Sequence, residues 1–147
     1  MTFFYEIQQN YAFWIALAAW FSAQALKILF EFLRTRKLKL SLLMASGGMP
    51  SSHSSISAAV TTAIGLEEGF GSPLFALGAI VTMVVMYDAS GVRRAAGNHA
   101  KAINDLLAHL ENSGINLDRK LKEMLGHTPV EVLAGALLGI TLALILF

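Results

Sequence analysis

Four short stretches of this sequence carry residue types that together can bind an anion and move a proton. The first pairs Lys27 with Arg34. On a helix seven residues make nearly two turns, so both lie on one face with Glu31 between them. A lysine inside an apolar run needs an anionic partner. That partner is either Glu31, in a Lys27–Glu31–Arg34 ladder, or a bound anion. The second runs Ser46-Gly47-Gly48-Met49-Pro50-Ser51-Ser52-His53. Its glycines allow close backbone approach, and a helix N-terminus after it would offer unpaired N–H groups to a phosphate. Ser51 and Ser52 add hydroxyl donors, and His53 can exchange a proton near neutral pH. A plain Gly-Gly turn with a serine cap explains the serines but not the histidine. The third is Asp88 followed by Arg93 and Arg94. These arginines either hold an anion or anchor the end of a membrane span, and Asp88 needs a base nearby, an arginine or Lys27. The fourth is His127-Thr128-Pro129-Val130-Glu131. Thr128, Pro129 and Glu131 read as a capping box, which would make Glu131 structural. Glu131 could also orient the His127 ring, as a carboxylate orients a catalytic imidazole.

These groups need elements to bring them together. Only 14% of the 147 residues are charged and 55% are apolar, against about 25% charged in ordinary soluble domains. A small soluble fold could not cover its surface with so little charge. The composition excludes disorder and argues against nucleic-acid binding. With no cysteine, disulfides, thiolate metal sites and thiol catalysis are excluded. Apolar runs at Tyr11–Leu33, Ser54–Leu66, Pro73–Tyr87 and Pro129–Phe147 read as membrane segments, the second short for a span. The first ten residues have no Lys or Arg and so lack the basic start of a cleaved signal peptide. Between the last two segments, Ile103, Leu106, Leu107 and Leu110, then Leu117, Leu121, Met124 and Leu125, recur at helical spacing. They predict two amphipathic surface helices, with Gly126 past the second.

Charge placement orients the whole. If the segments alternate in direction, all eleven Lys and Arg residues fall on or near one side. The other side holds Glu6, Glu67 and Glu68. The positive-inside rule then puts the charged side in the cytoplasm and both termini outside. Bases recruited to bind an anion would mimic this bias, but Arg36, Lys37, Lys39, Lys120 and Lys122 need no such role.

In order along the chain, Lys-x6-Arg, Pro-Ser-x-His and a late His-x3-acid resemble the signature of the type 2 phosphatidic acid phosphatase superfamily. That superfamily includes lipid phosphate phosphatases and vanadium-dependent haloperoxidases, and this chain looks like a short, divergent membrane branch. The resemblance spans Lys27 to Glu131. It implies that Lys27, Arg34, Ser51 and the backbone around Ser52 bind phosphate oxygens. It implies that His53 protonates the leaving alcohol and that His127 is the nucleophile, with Glu131 in place of the usual Asp. It implies no metal and no cofactor. Four positions depart from the pattern. Thr35 replaces a Pro, Ser52 a Gly, Glu131 an Asp, and Leu121 the Arg that should precede the nucleophile by six residues. Arg93, Arg94 or Arg119 would have to supply that missing contact.

The expected fold is therefore an all-α integral membrane protein, one domain over residues 1–147, with about four membrane-inserted helices plus amphipathic surface helices. The expected function is metal-independent hydrolysis of a membrane lipid phosphate at the cytoplasmic face of a bacterial cytoplasmic membrane. Phosphatidylglycerophosphate, phosphatidic acid and polyprenyl (di)phosphates all fit as substrates. Haloperoxidase activity does not, since those relatives are soluble. The alternative is a non-catalytic protein that binds anionic lipid headgroups. Gly135 and Gly139 suggest close helix packing, within the chain or in a homo-oligomer. His99 and His109 read as solvated, and no metal-ligand set is visible.

Overall fold

The computed structural model describes residues 2–38, 47–111, 121 and 126–147. Among them the order is α1 (Thr2–Gln9), α2 (Tyr11–Thr35), α3 (Ser52–Glu68), α4 (Pro73–Ser90), α5 (Val92–Glu111) and α6 (Pro129–Leu146), with no strand. Side-chain oxygens start four of these helices. Asn10 Oδ1 accepts from the Phe13 amide at 2.9 Å. Ser51, Ser72 and Thr128 accept from the amides of Ser54, Phe75 and Glu131. Each satisfies one N–H that the first turn leaves without an internal partner. Pro73 and Pro129 take the first helical position, where no N–H is needed.

Three helices are long and apolar enough to cross a membrane: α2, α4 with its continuation into α5, and α6. The expected fourth segment, α3, has 17 residues and a mixed Ser, Thr and Ala composition, and it falls short of a span. It is the hub instead, packed against α2, α4 and α6. Small residues make this possible. Ala59 and Ala63 on α3 meet Ala12, Ile15 and Ala19 on α2 and Ala143 on α6 in the core. A Cβ at Gly135 would collide with the Ser51 carbonyl oxygen, and one at Gly139 with that of Ser55. The two glycines therefore serve contact within the chain, between α6 and α3. Polar links tie α4 to α3: Thr61 and Thr82 share a hydrogen bond at 2.9 Å, and Thr82 Oγ1 donates to the Ser57 carbonyl at 2.9 Å.

The short α1 was not expected. Phe3, Phe4 and Tyr5 are exposed on it, which suits an interfacial helix. The first of the expected surface helices falls within α5, which starts eleven residues before Ile103. The second, expected around Leu117–Leu125, lies outside the described residues but for Leu121, and Lys39, Arg119, Lys120 and Lys122 lie outside them too.

Candidate active site

The ends of four helices meet where the histidines lie: the last third of α2, the starts of α3 and α6, and the α4–α5 junction. Two contacts fix the His127 segment there. Its amide donates to the Ala89 carbonyl at 2.8 Å, at the end of α4. Gly126 has φ +85°, and a Cβ on it would strike the Arg93 and Arg94 backbone. Only glycine allows both the turn and this approach. From the other side, the Ser51 amide donates to the Glu131 carbonyl at 2.9 Å and joins the starts of α3 and α6.

His127 is 1% exposed. Its Nδ1 lies 3.2 Å from Glu131 Oε2, and the same oxygen accepts from the Thr128 amide at 3.0 Å. With Nδ1–H donating to the carboxylate, the lone pair of the neutral ring sits on Nε2. That Nε2 is buried and without a hydrogen-bond partner among the described residues. Burial pushes the His127 pKa below the ordinary imidazole value of 6.5, against the opposing hydrogen bond to Glu131. The Gly48 carbonyl is near enough to favour the protonated ring, yet it makes no hydrogen bond to Nε2. The neutral form is the resting one at neutral pH. Capping and orienting are thus both real here, and one Glu131 oxygen does both.

His53 faces His127, with ring centroids 5.9 Å apart and planes at 64°. Its Nδ1 is also buried and unpartnered. On the α2 side, Lys27 is 3% exposed, and its Nζ donates to Ser52 Oγ at 3.1 Å. No carboxylate stands within ion-pair distance of it among the described residues. Ser51 is fully buried, and its Oγ accepts from the amide and hydroxyl of Ser54. That role caps α3 and leaves Ser51's own O–H to donate. On the α4 side, Arg93 Nε meets Asp88 Oδ2 at 2.6 Å, and both residues lie within electrostatic reach of His53.

The structure therefore brings Lys27, Ser51, Ser52, His53, His127 and Glu131 together, with Asp88 and Arg93 at the rim. It does not bring in two expected anion ligands. Arg34 is exposed and pairs with Glu31 at 3.3 Å, which is the rung of the ladder that leaves Lys27 out. Arg94 is exposed, and only its backbone, beside Gly126, adjoins the site. Leu121, where the superfamily's Arg would stand, has its backbone amide and carbonyl clamped by the Asn104 side chain at 2.9 and 2.8 Å. Asn104 had carried no signal in the sequence. A cleft of about 790 Å³ lies at the other end of α3, against Tyr5, Glu6 and Glu67, and contains none of the site residues.

The all-helical bundle thus sets two histidines face to face, one held by a carboxylate, beside a buried lysine. The sequence profile of the divergent PAP2 family matches residues 8–142, and the chain belongs to that family. It is an integral membrane protein. It is similar to YuiD of Bacillus subtilis (strain 168), described as an uncharacterized membrane protein, with 42% identity over 96% of both chains. No solved structure matches it.

Proposed function

We propose that this protein is a metal-independent phosphatase acting on a membrane lipid phosphate through a phosphohistidine at His127. The observation that carries this reading is a cluster of buried groups that the described residues do not fully satisfy: Lys27, bonded to Ser52 with no carboxylate at ion-pair distance, and His127 Nε2 and His53 Nδ1, without hydrogen-bond partners. Leaving such groups unsatisfied costs about 1–3 kcal/mol each, more when charged. A phosphate monoester supplies what each lacks.

Lys27, the Ser51 and Ser52 hydroxyls and the first amides of α3 hold the non-bridging oxygens. His127 Nε2 attacks phosphorus as the P–O bond to the lipid breaks. Burial and the neighbouring Arg93 hold His53 below the ordinary imidazole pKa in the free protein. The negative charge of the bound phosphate favours its protonated form, and His53 gives its proton to the departing oxygen. Water, deprotonated by the now neutral His53, then attacks the phosphohistidine. Inorganic phosphate leaves, and His127 is regenerated neutral. Glu131 keeps Nδ1 protonated and offsets the positive charge that the ring gains. The substrate is a lipid because the site sits at the ends of membrane-crossing helices, where a headgroup presents its phosphate.

The one-sided placement of Lys and Arg supports a site in the cytoplasm and termini outside. Cysteines introduced at Thr2 and at Lys101 test this in a chain that has none of its own. Impermeant reagent should reach Thr2→Cys alone in intact cells, and labelling of Lys101→Cys alone inverts the orientation.

The competing reading is an anionic-lipid-binding protein without turnover. Leu121 in place of an Arg favours it, and the paired histidines oppose it. Phosphate release from a panel of lipid phosphates, with chelator present, decides between them. Release is expected from at least one lipid. Binding without release from any of them supports the competitor.

A further inference from the structure

The site has two sides, and they carry different charges. On one side of α3 stands α2, which supplies Lys27 to Ser52. On the other stands α4, leading into α5, with Asp88 and Arg93. The His127 segment bridges them, held to α4 through Ala89 and to α3 through Glu131 and Ser51. Lys27 bonds Ser52 and the two histidine rings face each other. The charge of Arg93 acts on His53 more strongly than those of His127 and Lys27 do, while His127 feels Lys27, which puts Arg93 on the His53 side. Under the phosphatase reading, on which this inference rests, the transferred phosphate lies beside Lys27 and Ser52. The leaving group then departs past His53, the proton donor, toward Arg93.

Arg93 is half-exposed, and Asp88 takes only its Nε. Its two terminal nitrogens have no partner among the described residues. A guanidinium held by Nε presents its remaining N–H groups as a fork that suits a phosphate. Lys27 already serves the transferred phosphate from the far side, and a simple alcohol leaving group offers this fork nothing.

We propose that Arg93 binds a second phosphate carried by the leaving group, so that the preferred substrates have an anion on each side of the scissile P–O bond. A lipid diphosphate and a phosphatidylglycerol phosphate share this chemistry, and phosphatidic acid lacks it. With a diphosphate, the bridging oxygen keeps the electrons of the broken bond and leaves as a lipid monophosphate. With phosphatidylglycerol phosphate, the glycerol oxygen takes the His53 proton and phosphatidylglycerol leaves. Arg93 holds the retained phosphate in both.

The test uses the full chain in detergent micelles with chelator present and short-chain versions of the three lipids. Binding is read by native mass spectrometry and phosphate release in parallel. At least one of the two doubly anionic lipids should bind about tenfold or more tightly than phosphatidic acid, the worth of one charge-assisted phosphate contact. Arg93→Gln should bring that ratio close to one. Arg93→Lys, which keeps the charge without the fork, should hold part of it, and matching thermal midpoints exclude misfolding. Whichever doubly anionic lipid shows the Arg93-dependent preference is the source of the second phosphate. An equal or stronger preference for phosphatidic acid, or a ratio unmoved by Arg93→Gln, overturns the proposal. Preference without phosphate release from any lipid overturns the phosphatase reading and this proposal with it, whereas release without an Arg93-dependent preference overturns this proposal alone.

Discussion

Helices α3 and α4 have nearly the same length, 17 and 18 residues, and lie side by side, yet they are built on opposite principles. Most of α3 is buried, and its buried residues are Ser, Ala, Thr and Gly. Only Ala89 is buried on α4, while Leu74, Leu77, Ile80, Val81, Met83 and Val84 are exposed. In water this would be inside out. In a bilayer, lipid is as apolar as leucine, so large side chains gain little from the interior. Small ones let backbones approach and leave room for polar groups. The helix that starts the candidate site is therefore the one that looks least like a membrane segment.

The strongest way to break this contrast is to put a large side chain where α6 meets α3. Gly139→Leu would drive its side chain into the Ser55 carbonyl and the Ala59 amide. Overpacking typically costs about 1–3 kcal/mol, and an obstacle made of backbone puts this case at or above that range. Loss of folded protein after detergent extraction is the expected outcome, read by size-exclusion chromatography.

Next in size is Glu131→Gln, at the same interface but directed at chemistry. Gln at this position keeps the capping box, so the thermal midpoint should hardly move. The lost charge should lower turnover by about tenfold or more, because charge-assisted hydrogen bonds are roughly twice as strong as neutral ones. The pH profile adds a signed test. Protonation of His127 removes the attacking lone pair, so kcat/KM should fall as pH drops through a pKa below 6.5. Glu131 raises that pKa. Its replacement should move the acid limb lower still, and a limb that moves up would contradict the assignment.

Smaller effects belong to α4. Thr82→Val removes the hydrogen bonds to Thr61 and to the Ser57 carbonyl, and membrane-interior bonds of this kind average about 0.6 kcal/mol. Leu77→Ala, on the outward face, should change unfolding stability by less than about 0.5 kcal/mol. A larger cost there would mean that α4 packs against protein, such as a second copy of the chain.

The same contrast explains what the sequence disclosed. The starts of α2, α4 and α6 were legible to the residue, because Tyr11, Pro73 and Pro129 open apolar runs and prolines favour the first turn. The grouping of His53, His127 and Lys27 at one end was legible from alternation of the spans. The central place of α3 was not, since hydropathy measures affinity for lipid and α3 faces protein. The fate of Arg34 was equally hidden. Helical spacing put it on one face with both Lys27 and Glu31, but spacing cannot say that the chain would turn Lys27 inward to Ser52 and leave Arg34 outside with Glu31. The double use of one Glu131 oxygen depends on a backbone angle at Thr128 that no pattern reports.

The central claim is that His127 is a nucleophile, and trapping the intermediate tests it most directly. Protein incubated with a lipid carrying a labelled terminal phosphate is quenched in alkali, digested and mapped. The account expects an alkali-stable, acid-labile label on the peptide containing His127, absent from His127→Ala, which still binds the lipid through Lys27 and the serines. Undiminished phosphate release by His127→Ala would contradict it.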